Sequence, residues 1–181
     1  MRDGIVERAR LVQRLADLQD CSVISVVAPA GYGKSTLLAQ WAAHKLPRVS
    51  WITLDERDND PAVLLTYLTV AVDRIEAVDP VLYRPLASPG LGIAEVGRLV
   101  ASIGAMDEPV SLVLDQAETI TNRAARDIVA ELAARLPEGS HLAIGSRHEV
   151  PVPVARLRAE RAIVEIGASD LSMDRPEAGE L

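Results

Sequence analysis

Phenylalanine is missing from the 181-residue chain altogether, and aromatic residues reach only 3%. A core therefore has to be assembled from Ala, Val, Leu and Ile, and the 49% apolar content supplies them. Cysteine is nearly absent too. The single Cys21 cannot close an internal disulfide, which excludes a disulfide-stapled scaffold and leads us to expect a reducing, cytoplasmic setting. Among the 19 basic residues only Lys34 and Lys45 are Lys; all the others are Arg. No apolar run reaches the roughly 18 residues of a membrane span, so no membrane partner is expected. The opening Met1-Arg2-Asp3-Gly4 leads onto charge rather than onto the apolar segment of a signal peptide. An excess of positive charge is also lacking. The formal net charge is -7, which argues against nucleic acid as the main partner of these residues, since DNA affinity rests on neutralising phosphates with Lys and Arg.

What remains is the composition of one globular domain long enough to bury most of its apolar surface. Short β-branched runs alternate with longer amphipathic stretches. Residues 22–27, 49–54, 110–114, 141–145 and 162–166 read as five strands. Between them, a helix is expected from Ser35 to about His44. A second follows the Asp60 cap and Pro61, with Leu64, Leu65, Leu68, Val72 and Ile75 on one face. A third carries Val96, Leu99, Val100 and Ile103. The fourth, which Thr121 would cap, carries Ile128, Val129, Leu132 and Leu136. Alternation of this kind predicts an α/β fold with a five-stranded parallel sheet between two helical layers, joined by right-handed crossovers. Ligands of such sheets bind beyond the carboxyl ends of the strands, so the residues that follow strands are the ones to inspect.

The first strand is followed by Ala28-Pro29-Ala30-Gly31-Tyr32-Gly33-Lys34-Ser35-Thr36. Except for Ala28 at the first glycine position, this is the G-x-x-x-x-G-K-[ST] phosphate loop. Gly31 and Gly33 let backbone amides close around a polyphosphate, and the start of the next helix adds unsatisfied N–H groups and a positive dipole end. Lys34 is placed to reach the β- and γ-phosphates, and Ser35 to ligate Mg2+. The candidate cradle is thus Ala30, Gly31, Tyr32, Gly33, Lys34, Ser35 and Thr36. A glycine-rich turn with a surface Lys34 is the alternative; a β-branched strand leading in and a helical pattern leading out favour the phosphate site. The third strand ends in Asp115, an apolar run closed by an acid, the shape of a Walker B strand. Asp115 is expected to hold Mg2+ through water, because that ion keeps much of its hydration shell.

The loop, together with Gln40-Trp41-Ala42, the stretch Trp51 to Asp55 and the segment Asp58-Asn59-Asp60-Pro61, resembles the ATPase domain of the large ATP-binding LuxR-type transcriptional regulators, a maltose-regulator-like group within the STAND class of P-loop ATPases. Ala at the first loop position is common in that group. The resemblance spans Val6 to Leu171. It implies a three-layer P-loop fold, with strand order 2-3-1-4-5 expected, and a nucleotide-binding domain over residues 1–171 followed by the start of a helical region at 172–181. ATP or ADP with Mg2+ is the implied ligand; no Asn-Lys-x-Asp guanine signature occurs, which leaves adenine as the default. The implied partners are a sensor region and a DNA-binding region C-terminal to these residues, with DNA contacted only through them, and self-association under the control of ATP.

Further site residues follow from the resemblance. The group often has a second Asp after the Walker B acid, where this chain has Gln116, which can orient water but not take its proton at neutral pH. Glu118 could replace that acid if the backbone stays extended; a solvated turn residue is the equal alternative. Hydrolysis is therefore expected to be slow, a weak ATPase acting as a switch. Arg147, after Ser146, stands where the group has an Arg sensing the terminal phosphate; a surface Arg paired with Glu149 is the alternative. Val6 and Arg8 fall in a segment that lines the adenine pocket in related ATPases, with Glu7 and Ala9 here in place of two prolines, a change that favours a continuous helix. The acidic cluster Asp55 to Asp60 lacks the glycine and distal Glu of a calcium loop and reads as a strand-to-helix turn capped by Asp60. Two other functions compete with the switch. A small-molecule P-loop kinase would want an Arg-rich lid, whereas the stretch 79–92 offers only Arg84. A non-catalytic interaction module with a vestigial fold predicts no nucleotide affinity.

Overall fold

A computed structural model describes residues 8–16, 21–45, 48–83 and 92–172. Five parallel strands form one sheet: β1 (Val23–Val27), β2 (Val49–Thr53), β3 (Ser111–Asp115), β4 (His141–Ser146) and β5 (Ile163–Ile166). All five lie where the β-branched runs predicted them. Their order is β2-β3-β4-β1-β5, which corrects the expected 2-3-1-4-5. β4 does not lie outside β1 but is inserted between β1 and β3, pairing Val27 with Ser146 on one side and Leu114 with Ile144 on the other. The physical reason is visible in β4 itself. All six of its residues are buried, as suits a central strand, and it carries the small residues Ala143 and Gly145 where its neighbours approach. β5 takes the outer place beside β1 instead.

Alternation along the strands divides the core into two halves. Val23, Leu112, Leu114, Leu142, Ile144 and Ile163 face one side, against the larger half of the core. Three helices cover it: α3 (Pro61–Asp73), α4 (Gly92–Gly104) and α5 (Arg123–Arg135). Ile24, Val26, Val113, Ala143 and Ile166 face the other side, under α1 (Ala9–Ala16), α2 (Lys34–Ala43) and the short α7 (Ala168–Leu171). In a chain without Phe, the largest fully buried side chain is Trp41 of α2, set edge-on to His141 with ring centroids 6.0 Å apart. α6 (Val154–Ala159) links β4 to β5 and was not legible as a helix.

The caps largely follow the sequence. Asp60 accepts hydrogen bonds from the Ala62 and Val63 N–H groups ahead of Pro61, a cap worth about 1 kcal/mol. The cap of α5 is Asn122, which accepts from the Ala124 N–H at 2.8 Å, one residue beyond the expected Thr121. α1 begins only at Ala9, with Arg8 ahead of it outside the helix, so the helix expected to run on through Arg8 starts later; Glu7 lies outside the described residues. No helix among the described residues is long and apolar enough to cross a membrane.

Candidate nucleotide-binding site

The loop between β1 and α2 has the backbone that its glycines promised. Gly31 and Gly33 sit at φ +84° and +80°, a left-handed conformation that strains any residue with a Cβ. Gly33 caps α2 without a side-chain bond, so the first N–H groups of that helix are directed at the mouth of the loop. Lys34 Nζ donates to the Ala28 carbonyl at 2.7 Å and to the Pro29 carbonyl at 3.0 Å. The ammonium thus cross-links the loop from within. Ala30, Gly31 and Tyr32 are exposed at its crest, with Tyr32 at 43%, and Thr36 follows on the first turn of α2.

Ser35 Oγ donates to Asp115 Oδ2 at 2.7 Å. The two residues expected to serve Mg2+ are therefore brought together by the end of β3 and the start of α2. Both offer hard oxygen atoms, one of them a carboxylate, which suits an ion that takes few protein ligands and completes its shell with water and phosphate. The donor set fits. Asp115 is further fixed by the Gln116 backbone N–H, which donates to its Oδ1 at 3.0 Å. Gly145 is what makes room for it: a Cβ there would meet Asp115 Oδ1 at 2.8 Å and Leu38 Cδ1 at 2.9 Å. Gly145 was not singled out from sequence, although a glycine inside a β-branched strand is the signal for such a close approach.

Beyond Asp115 the chain does not stay extended. Gln116 adopts φ 62° and ψ 37°, and residues 117–119 form a 3-10 turn, so the alternation that would have returned Glu118 to the side of Asp115 is broken. Glu118 turns to Arg147 instead. Its Oε2 accepts from the Arg147 backbone N–H at 3.0 Å, and its Oε1 lies 2.9 Å from Arg147 Nε. The inserted position of β4 allows this pair: with β4 outside β1, β1 would separate the ends of β3 and β4. Glu149, the alternative partner considered for Arg147, pairs with Arg126 at 2.9 Å. Arg147 follows Ser146, whose carbonyl accepts from the Ala28 N–H at 3.2 Å, so its backbone stands beside the start of the phosphate loop.

The Asp58-Asn59-Asp60 segment resolves into three separate structural tasks. Asp58 is buried and accepts from the Asp55 N–H at 2.7 Å. Asn59 bridges to the chain after β3: Nδ2 donates to the Thr119 carbonyl at 2.7 Å, and Oδ1 accepts from the Thr121 and Asn122 N–H groups at 2.8 and 2.9 Å. Asp60 is the cap already described. Asp55 belongs to the same turn, where its hydrogen bonds with Arg57 hold its carboxyl below the usual carboxylate range; its side chain is half exposed, so this coupling is screened by water and salt. The cluster is a turn, as expected. Asn59 was missed as a clamp on the Glu118 turn. Asn59→Ala should lower stability by about 1–2 kcal/mol, because two backbone N–H groups lose their acceptor, with urea unfolding as the check.

Arg8 is buried ahead of α1. It is 4% exposed, its backbone N–H donates to Gln40 Oε1 at 2.8 Å, and its guanidinium donates to the Leu171 carbonyl. That guanidinium lies against the loop, with Nη2 3.9 Å from where a Cβ on Gly33 would stand. Val6 lies outside the described residues, as do Arg84 and residues 173–181.

Comparison with known proteins agrees with this geometry. The HTH-type transcriptional regulator MalT of Yersinia enterocolitica is 32% identical over 96% of this chain, and MalT of Cronobacter sakazakii is 30% identical over 96%. In both cases the chain spans only 19% of the relative's length. Among solved structures, the Walker-type ATPase PABY2304 of Pyrococcus abyssi superposes with a TM-score of 0.57 at 15% identity, covering 99% of this chain and 57% of that one. No protein-family model matches the chain. The chain thus shares the fold of that Walker-type ATPase, with its loop and strand-end acid in place, and along almost its whole length it is similar in sequence to one segment of the MalT regulators.

Proposed function

We propose that the chain is the nucleotide switch of a LuxR-type transcriptional regulator, binding ATP or ADP with Mg2+ and hydrolysing ATP slowly. The observation that carries this reading is the joint placement of the loop amides, Lys34, Ser35 and Asp115 at one end of the sheet. Residues 1–171 would form the binding domain and residues 172–181 the start of the helical region that follows it.

Each side chain has a distinct task in this reading. The amides of residues 30–36 would hold the phosphate oxygens. Lys34 would exchange its two carbonyl acceptors for phosphate, and Arg8 beside Gly33 would add a second positive charge. Ser35 and Asp115 would hold Mg2+, which when bound offsets charge that builds on the phosphates. Arg147 would sense the terminal phosphate with its fork of donors. Gln116 can orient water by hydrogen bonding but has no carboxylate to accept its proton. Glu118 has one, but Arg147 occupies it. Slow turnover follows, and a switch needs no more than that. Sensor and DNA-binding regions are the proposed partners within the same polypeptide, along with self-association in the ATP state.

Acid extraction of the purified protein, followed by a phosphate-release assay, tests the proposal. Co-purified adenine nucleotide with release below about one turnover per minute, slow against the usual enzyme range, is expected. Rapid release would contradict the slow switch, whereas phosphate transfer to a small-molecule acceptor without free phosphate would favour the kinase alternative.

A further inference from the structure

The Glu118–Arg147 pair has a consequence for which nucleotide the site prefers. Both carboxylate oxygens of Glu118 are engaged by one residue, through a backbone N–H at 3.0 Å and Nε at 2.9 Å. The Glu118 side chain is 15% exposed and that of Arg147 54%, so the acid is the fixed member and the guanidinium the one free to leave. Glu118 is fixed from behind as well, because Asn59 bonds Thr119, Thr121 and Asn122 and so holds the turn that carries it. On its open side Glu118 borders a groove of about 410 Å³ shared with Thr121, Arg126 and His148. Arg126 there pairs with Glu149 at 2.9 Å, which leaves Arg147 as the partner of Glu118.

We propose that Glu118 is a specificity-determining counter-charge that competes with the terminal phosphate of a nucleoside triphosphate for Arg147. This rests on the nucleotide-switch reading above and gives Glu118 a task other than that of general base. A diphosphate fills the loop without disturbing the pair. A triphosphate gains Arg147 only by displacing Glu118, so part of the affinity from the third phosphate is cancelled. Glu118 thereby holds triphosphate and diphosphate affinities closer together than Arg147 alone would set them, which lets a modest signal from elsewhere in the protein tip the balance.

Calorimetric titration of Mg-ADP and of a non-hydrolysable Mg-ATP analogue into wild type, Glu118→Gln, Arg147→Ala and the double variant tests this. Gln keeps an acceptor for the Arg147 N–H, so the turn stays anchored while the charge is removed. Glu118→Gln should bind the triphosphate analogue about fivefold more tightly, the scale of a part-exposed ion pair, and bind ADP within twofold of wild type. Arg147→Ala should weaken the triphosphate analogue alone, and the double variant should match Arg147→Ala, because the two residues act on one another. A triphosphate-to-diphosphate ratio unchanged in Glu118→Gln would overturn the proposal, as would equal weakening of both nucleotides. Failure of the underlying reading looks different: wild type would then bind neither nucleotide.

Discussion

Lys34→Ala should weaken Mg-ATP binding by roughly 100-fold, equivalent to about 2.7 kcal/mol and within the range for hydrogen bonds to charged groups. The fold itself should be nearly unaffected. Lys34 is only partly buried, and it spends its donors on the Ala28 and Pro29 carbonyls of the same loop. Those carbonyls can turn to water when the ammonium is gone. Lys34→Arg should restore little. A compact ammonium reaches between the loop and a phosphate, whereas a planar guanidinium is wider and fixed in its fork. The comparison is pointed in this chain, where Arg is by far the commoner base and only one other Lys, Lys45, is present. Titration of the wild type and both variants with Mg-ATP, with urea unfolding as a control, separates lost binding from lost structure.

Gly145→Ala should damage both stability and the proposed Mg2+ site. The added Cβ would meet Asp115 Oδ1 at 2.8 Å and Leu38 Cδ1 at 2.9 Å, and neither neighbour can easily retreat. Leu38 is fully buried, and Asp115 is held at one oxygen by Ser35 and at the other by the Gln116 N–H. Overpacking of a core strand costs about 1–3 kcal/mol, and the upper end is expected here because a carboxylate is displaced along with a methyl group. The second effect is diagnostic. Asp115 pushed away from Ser35 should cost Mg2+-dependent affinity at least tenfold, while nucleotide binding measured in EDTA changes little. A loss of stability without any change in Mg2+ dependence would mean that Leu38 alone absorbs the clash.

The placement of the glycine-rich loop before α2 and of the acid that ends β3 was legible because such a motif fixes both residue type and spacing within a few positions. Gly31 and Gly33 must tolerate positive φ, Lys34 and Ser35 must follow at once, and Asp115 must end a buried strand. The strands themselves were legible from β-branched runs. Strand order was not, because right-handed crossovers allow β4 on either side of β1 and local periodicity does not report which neighbour it pairs with. Hindsight supplies one signal, in that His141 to Ser146 is buried throughout and carries Ala143 and Gly145, as a central strand flanked by close neighbours requires. The Glu118–Arg147 pair followed from that order and joins residues 29 apart. The clamp at Asn59 was hidden for the same reason: its partners Thr119 to Asn122 lie about 60 residues away.

Whether this end of the sheet binds a Mg-nucleotide is decided by equilibrium unfolding of the wild-type protein with and without Mg-ATP. A ligand at 100 times its dissociation constant adds about 2.7 kcal/mol to the stability of the state that binds it. A saturable increase of that order is expected with Mg-ATP, a comparable one with Mg-ADP, and almost none in Lys34→Ala. Superimposable unfolding curves for the wild type at every Mg-ATP and Mg-ADP concentration would contradict it.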